Sequence, residues 1–300
     1  MGREDVTQLP KISVVTPAYR SGATIEQTIQ SVLSQSYRNV EYIVMDGAGD
    51  DTADILRRYD DRLTHWRSEP DGGQYDAIRK GFERATGDVF CWINADDKLL
   101  PDALQVVAEA FGRFEEVDWI SSLSPGRYDA LGYYGGHDTV PGFSREAFMD
   151  GYNLPGRLRF GRFIQQESTF FRRRLWDGLE RPFGDFRLAG DFALWCQFFR
   201  STDLVGLTYP LAGFRCIAGQ RSENLVDYVA EAEVALRELR SHFGHKGSRP
   251  RVDQYRRLSR MPRVGRMVIE RLGYEGKRIV RERLRFPDAG WSLQDHRFLP

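Results

Sequence analysis

Between Ile12 and Ile93 the apolar residues fall into four short runs, each closed by polar residues. Ile12–Thr16 is a β-branched run ended by Pro17, and Val40–Met45 stops on Asp46. Leu63–Arg67 runs into Ser68-Glu69-Pro70-Asp71-Gly72-Gly73, and Val89–Ile93 is nearly unbroken in apolar character. Runs of this length and composition predict strands, the last buried on both faces of a mostly parallel sheet. Between them the apolar positions recur at three- and four-residue steps, which predicts amphipathic helices. One begins at Thr24, with Ile25, Ile29, Val32 and Leu33 inward, and others cover Thr52–Tyr59 and Tyr75–Ala85. Alternation of this kind predicts βαβ units, which deliver every loop after a strand to the same sheet edge. The expected pocket is a composite of Pro17–Tyr19, Asp46–Asp51, Glu69–Gln74 and Asn94–Asp97.

The fourth of those loops carries the most chemistry. Asn94, Asp96 and Asp97 follow the apolar run at once, and Pro101 suits the first turn of a helix reaching Phe114. Ligands of open α/β sheets bind in the crevice outside the carboxyl ends of the strands. Aspartate oxygens there suit Mg²⁺ or Mn²⁺ carried with a substrate's phosphates. Taken alone, an Asp-Asp pair is more simply a turn-forming polar loop. A dinucleotide site would need G-x-G-x-x-G after the first strand, and Thr16-Pro17-Ala18-Tyr19 stands there instead.

Beyond Phe114 a strand is expected around Trp119 and Ile120. Gly126–Gly142, rich in Gly and Tyr and without a clean period, fits a hairpin or a mobile loop. In Phe163–Phe171 the cluster Gln165, Gln166, Glu167 fits either a polar pocket wall or an exposed strand face. Phe192, Leu194, Trp195, Phe198 and Phe199 define a strongly apolar helix with Asp191 at its amino end, where a carboxylate serves as a cap. A further helix over Ser222–Phe243 presents Leu225, Tyr228, Val229, Ala232, Leu236 and Leu239 on one face. Gly244–Pro250 reads as a linker.

Charge changes the picture only at the carboxyl end. Lys plus Arg and Asp plus Glu number 43 each, so no nucleic-acid partner is implied. Yet Lys246–Arg285 holds 14 Lys and Arg against 4 Asp and Glu. Tyr255, Leu258, Met261, Val264, Met267, Val268, Leu272, Ile279, Val280 and Leu284 recur there at helical steps. A basic amphipathic helix fits an anionic membrane surface; it fits equally a helix docked on its own domain or on a twin subunit in a homodimer. The expected division is a catalytic domain over 1–243 and a basic helical extension over 244–300. Cys91, Cys196 and Cys216 are odd in number and widely spaced, which suggests a reducing compartment. Met1–Pro10 lacks the apolar core of a signal peptide, so a cytoplasmic protein is expected, at most lying on the inner face of the plasma membrane.

Four segments together resemble the signatures of family 2 glycosyltransferases: Ile12–Tyr19, Val44–Gly47, Ser68–Ala77 and Trp92–Asp97. The likeness spans residues 10–225. It implies the GT-A fold, a Rossmann-like, mostly parallel α/β sheet flanked by helices, with a nucleotide half over about 10–100 and an acceptor half over 101–243. It further implies that Thr16, Pro17, Ala18, Tyr19, Asp46, Asp71, Gln74, Asn94, Ala95 and Asp96 line the nucleotide-sugar site, that Asp96 and Asp97 serve the metal, and that Asp191 is the general base. Gln166, Glu167, Arg215 and Gln220 are candidate acceptor or donor contacts. Asn94 departs from the family's first motif acid, and the loop after Asp46 is shortened, which leaves the role of Asp50 open. The implied activity is that of an inverting, metal-dependent hexosyltransferase. It would use a UDP-, GDP- or dTDP-linked donor and a saccharide or lipid-linked acceptor, in surface polysaccharide or glycolipid synthesis. The alternatives are a metal-dependent nucleotidyltransferase, which needs a basic glycine-rich loop where residues 16–22 hold only Arg20, or a non-catalytic sugar-nucleotide-binding protein.

Overall fold

A computed structural model describes residues 9–155, 163–181, 183–247, 271–281 and 290–299. The first half alternates as expected: β1 (Ile12–Ala18), α1 (Ile25–Leu33), β2 (Val40–Asp46), α2 (Thr52–Arg57), β3 (His65–Ser68), α3 (Gln74–Phe82) and β4 (Val89–Trp92). Then follow β5 (Lys98–Leu99), α4 (Ala103–Arg113), β6 (Trp119–Ser122), β7 (Gly126–Tyr128), β8 (Tyr134–His137), α5 (Arg145–Met149) and β9 (Thr169–Arg172). The remainder comprises α6 (Arg173–Asp177), α7 (Gly190–Ser201), β10 (Val205–Leu207), β11 (Ala212–Arg215), α8 (Leu225–Phe243), β12 (Tyr274–Arg281) and β13 (Trp291–Phe298).

The main sheet has nine strands in the order β13-β12-β10-β6-β9-β4-β1-β2-β3. Its β4-β1-β2-β3 portion is parallel throughout, and the register sets Ala18 opposite Asp46 and Asp46 opposite Ser68. The loops after all four strands therefore leave from one edge. Successive residues of a strand face opposite ways, and here both faces are covered: Val14 joins the apolar layer with Ile29, Val44 and Phe111, while Val15 joins that with Ile43, Trp92 and Trp195. Two-sided burial is the reason these strands lack polar alternation. A smaller sheet, β5-β11-β7-β8, stands beside the acidic loop.

On the second face an aromatic column locks α7 to the sheet. Trp195 stacks on Trp92 at 5.7 Å and on Trp119 at 5.5 Å between ring centroids. The helix that carries Asp191 is thus seated over strands β4 and β6.

Several expectations are revised. The helix after the acidic loop starts at Ala103, because Asp102 adopts a left-handed φ of 60° and breaks the turn that Pro101 was expected to begin. Gly126–Gly142 contains a hairpin, β7 with β8, joined edgewise to β11. Gln166–Ser168 form a short 3₁₀ turn, not a strand face, and Gln166 and Glu167 are buried. The helical reading of the tail holds at Arg271 and Leu272 and fails beyond them: Tyr274–Arg281 is a strand parallel to β10, and Trp291–Phe298 returns antiparallel to it. Ile279 and Val280 are adjacent β-branched residues, which suits a strand, and Ile279 pairs with Leu207 of β10 while Val280 pairs with Ser292 of β13. Of the residues assigned to the amphipathic pattern, Tyr255, Leu258, Met261, Val264, Met267, Val268 and Leu284 lie outside the described residues.

Candidate active site

Thr16, Pro17 and Ala18 end β1 and are buried; the Thr16 hydroxyl pairs with Tyr42 Oη at 3.0 Å inside the core. Tyr19 emerges from that strand with 61% of its surface exposed. Asp46 ends β2. Its Oδ2 accepts from Ser68 Oγ at 2.6 Å, while Oδ1 is buried without a partner, and burial raises its pKa. Gly47 lies so close to the Asp71 carboxylate and the Tyr19 ring that a Cβ would stand 3.1 to 3.2 Å from them. Asp71 Oδ1 in turn accepts from Gly73 N at 2.7 Å. The loops after β1, β2 and β3 therefore meet around one acidic, aromatic-edged recess. Asp50, whose role the sequence left open, is a clasp: its carboxylate accepts from Gly22 N and Thr52 N, each at 3.1 Å, tying two loops together.

The two aspartates after β4 part company. Asp97 is 0% exposed, with Oδ1 accepting from Arg215 N at 2.9 Å and Oδ2 from Asn94 Nδ2 at 3.2 Å. Burial, with the charges of Glu167 and Asp96, raises its pKa. Asp96 is only partly buried; its Oδ2 accepts from Gln220 Nε2 at 2.8 Å, and its other oxygen accepts from no described residue. Ala95 between Asn94 and Asp96 is buried. Asn94 is a hub, accepting from Gln74 Nε2 at 2.7 Å and donating to Gln166 Oε1 at 3.1 Å, while Gln166 reaches back to the Trp92 carbonyl. An amide can both accept and donate here, which a carboxylate in place of Asn94 could not do.

Glu167 is 3% exposed and its Oε1 has no hydrogen-bond partner. Burial pushes its pKa up to about 8, and the carboxylates of Asp96 and Asp191 act in the same sense. Arg215, read as a contact residue, is 1% exposed and sends its guanidinium to Gln27 Oε1 on α1 at 3.0 Å. It serves the crevice through its backbone, whose N–H holds Asp97 and whose carbonyl accepts from Gln220 at 2.8 Å.

Asp191 stands in the first turn of α7. Its Oδ1 accepts from Phe192 N at 2.8 Å and from Tyr228 Oη at 3.1 Å, and burial lifts its pKa to about 6. Tyr75 packs beneath: its hydroxyl donates to the Leu188 carbonyl at 2.6 Å, and a Cβ on Gly190 would come within 2.7 Å of its ring. Gly190→Ala is accordingly expected to cost about 1–3 kcal/mol through overpacking, read as a lower urea midpoint at unchanged slope. Arg221 bridges the mouth, donating to Gln74 Oε1 at 2.8 Å and to the Arg187 carbonyl. Sequence reasoning missed Arg221, Tyr75 and Tyr228. Arg221 directly follows Gln220, which was a signal, whereas the two tyrosines were indistinguishable from packing residues.

Among the described residues no group of three or more His, Cys, Asp or Glu side chains could cage a metal. Mg²⁺ and Mn²⁺ sites in phosphate chemistry need only one or two carboxylates beside the substrate's own oxygens. Asp96, with one oxygen that accepts from no described residue, fits that smaller demand, while Asp97 is 0% exposed and holds Arg215 N and Asn94 Nδ2.

A mostly parallel sheet with acids at its strand ends defines the class, and solved structures share the fold. TarS of S. aureus, in complex with UDP-GlcNAc, superposes with a TM-score of 0.56 at 15% identity, over 87% of this chain and 79% of that one. The mannosyltransferase PcManGT from Pyrobaculum calidifontis, in complex with GDP-Man and Mn²⁺, gives 0.53 at 16% identity, over 87% and 84%. Residues 13–170 match the model of glycosyl transferase family 2, and the chain belongs to that family. An uncharacterized glycosyltransferase of Mycobacterium tuberculosis H37Rv is 36% identical over 108 residues, which is 35% of this chain and 41% of that protein. TuaG of Bacillus subtilis, named for teichuronic acid biosynthesis, is 38% identical over 100 residues, or 32% and 40%. The matched stretch thus spans less than half of either relative.

Proposed function

We propose that this protein is an inverting, metal-dependent glycosyltransferase that moves a sugar from a nucleoside-diphosphate donor to an acceptor hydroxyl. The observation that carries the reading is the pairing, at one crevice, of a partly open Asp96 carboxylate with a half-buried Asp191 whose pKa is raised to about 6. Tyr19, Asp46 and Asp71 receive the base and ribose. Asp96 would hold a divalent cation, which when bound offsets negative charge on the diphosphate. Asp191 Oδ2, which accepts from no other described residue, takes the proton of the acceptor hydroxyl. That oxygen attacks the anomeric carbon from the face opposite the diphosphate, the carbon–oxygen bond to phosphate breaks, and the configuration inverts. A base with a pKa near 6 is ionised at neutral pH yet basic enough to share a proton in the transition state.

The β7–β8 hairpin, with exposed Leu131, Tyr133 and Tyr134, offers an acceptor-facing surface. Relatives named for polysaccharide synthesis favour a saccharide or lipid-linked acceptor, and neighbours solved with UDP-GlcNAc or GDP-Man favour a UDP- or GDP-linked donor. No described helix is long and apolar enough to cross a membrane. The basic charge of 246–285 supports a cytoplasmic enzyme that meets its acceptor at the inner membrane surface.

The test is incubation of purified protein with UDP-, GDP- and dTDP-sugars and Mn²⁺. Slow release of nucleoside diphosphate from one donor, with the opposite anomer formed, is the expected result. Binding without release would favour a sugar-nucleotide sensor. Pyrophosphate release from a nucleoside triphosphate and a sugar phosphate would favour the nucleotidyltransferase.

A further inference from the structure

The carboxylate of Asp191 is held from outside its own helix. We propose that α8 supplies the positioning residues of the catalytic base, with the Tyr228 hydroxyl setting its basicity and Glu231 fixing the backbone that carries it. This rests on the reading of Asp191 as the base. Tyr228 and Glu231 are three residues apart and share one face of α8. Tyr228 donates to Asp191 Oδ1, and Glu231 Oε2 accepts from Leu188 N at 2.8 Å and Ala189 N at 2.9 Å. Those amides lie at the cap of α7, where backbone N–H groups have no intrahelical partner and a carboxylate complements the helix dipole.

Leu188 is therefore gripped at both ends, its N–H by Glu231 and its carbonyl by Tyr75. Three side chains from two other helices thus fix where α7 begins and where Asp191 stands. Both hydrogen bonds to the base fall on Oδ1, which turns Oδ2 toward incoming substrate. The ionisable groups facing it are Tyr228 from α8, Tyr75 from α3, Arg221 from the segment after β11 and Glu167 from the turn before β9. Among the described residues only Tyr228 gives the carboxylate a side-chain hydrogen bond. A donor to the charged form favours that form, so the phenol opposes the effect of burial and keeps the base ionised near neutrality.

Tyr228→Phe removes the hydroxyl and keeps the ring that packs edgewise on Phe163. In kcat measured against pH, the rate rises as the base ionises. The variant's acid limb is expected to move to higher pH by about one unit, with a rate above the limb within about threefold of wild type. Glu231→Ala leaves both amides without their acceptor and is expected to lower kcat about tenfold while the donor KM stays unchanged. That second variant carries the test should the first melt far below wild type. An unmoved acid limb, or a Glu231→Ala variant with kcat unchanged, overturns the positioning role while an inactive Asp191→Asn enzyme still upholds the base. An active Asp191→Asn enzyme overturns the reading of the base itself.

Discussion

Asp191→Asn is expected to fold, bind donor and lose turnover by about 10² or more, the usual scale for removing a positioned base. Asn caps a helix about as well as Asp, so the hydrogen bond from Phe192 N is kept. Stability gives a second, independent readout. Burial raises the folded pKa to about 6, above the unfolded value of about 3.9. The fold therefore favours the protonated acid. That preference is fully expressed below about pH 4 and is lost as pH rises through about 6. At neutral pH the ionised carboxylate costs the fold on the order of 3 kcal/mol, a cost the amide does not carry. The variant should thus melt no lower than wild type at pH 7.5, and its melting temperature should vary less across pH 4–6. A nearly fully active, well-folded variant would exclude Asp191 as the base.

The second large effect separates Asp96 from Asp97. Asp96→Asn is expected to weaken Mn²⁺-dependent donor binding at least about tenfold and turnover by about 10²–10³, since it removes the partly exposed carboxylate proposed to hold the cation. Asp97→Asn is expected to act on the fold instead. Its carboxylate accepts from Arg215 N on one oxygen and from Asn94 Nδ2 on the other. An amide must turn its own N–H₂ toward one of those donors, at a cost of about 1–3 kcal/mol. Calorimetry with a nucleoside diphosphate, with and without Mn²⁺, beside thermal melts, distinguishes the two. Metal-dependent binding lost in Asp97→Asn and kept in Asp96→Asn would reverse the assignment.

The strand-end acids were legible because two-sided burial left unbroken apolar runs, and because parallel βαβ units must send their loops to one edge. Which aspartate faces the crevice was not legible. That is decided by the Arg215 amide, 118 residues further along the chain. Glu167 was recognised as unusual, yet its burial depends on Gln166 reaching a carbonyl 74 residues away. The tail misled for a related reason. Ile279 and Val280 fit helical steps among the arginines, and pairing with β10 on one side and β13 on the other makes them a strand. Local pattern identified elements whose partners are near in sequence; it failed where a distant backbone supplies the hydrogen bonds.

The late arrival of β12 bears on how the molecule is made. β10 at Val205 pairs with β12 at Lys277, so during synthesis β1–β4 and the helix carrying Asp191 leave the ribosome well before β10 can gain this partner. Until then β10 exposes a row of unpaired backbone groups, a template for joining another chain. Pairing between such distant segments is slow, because a long loop must close before any contact rewards it. Strand β12, with β13 beyond it, covers that edge and ends the interval in which the nascent sheet offers β10 to another chain.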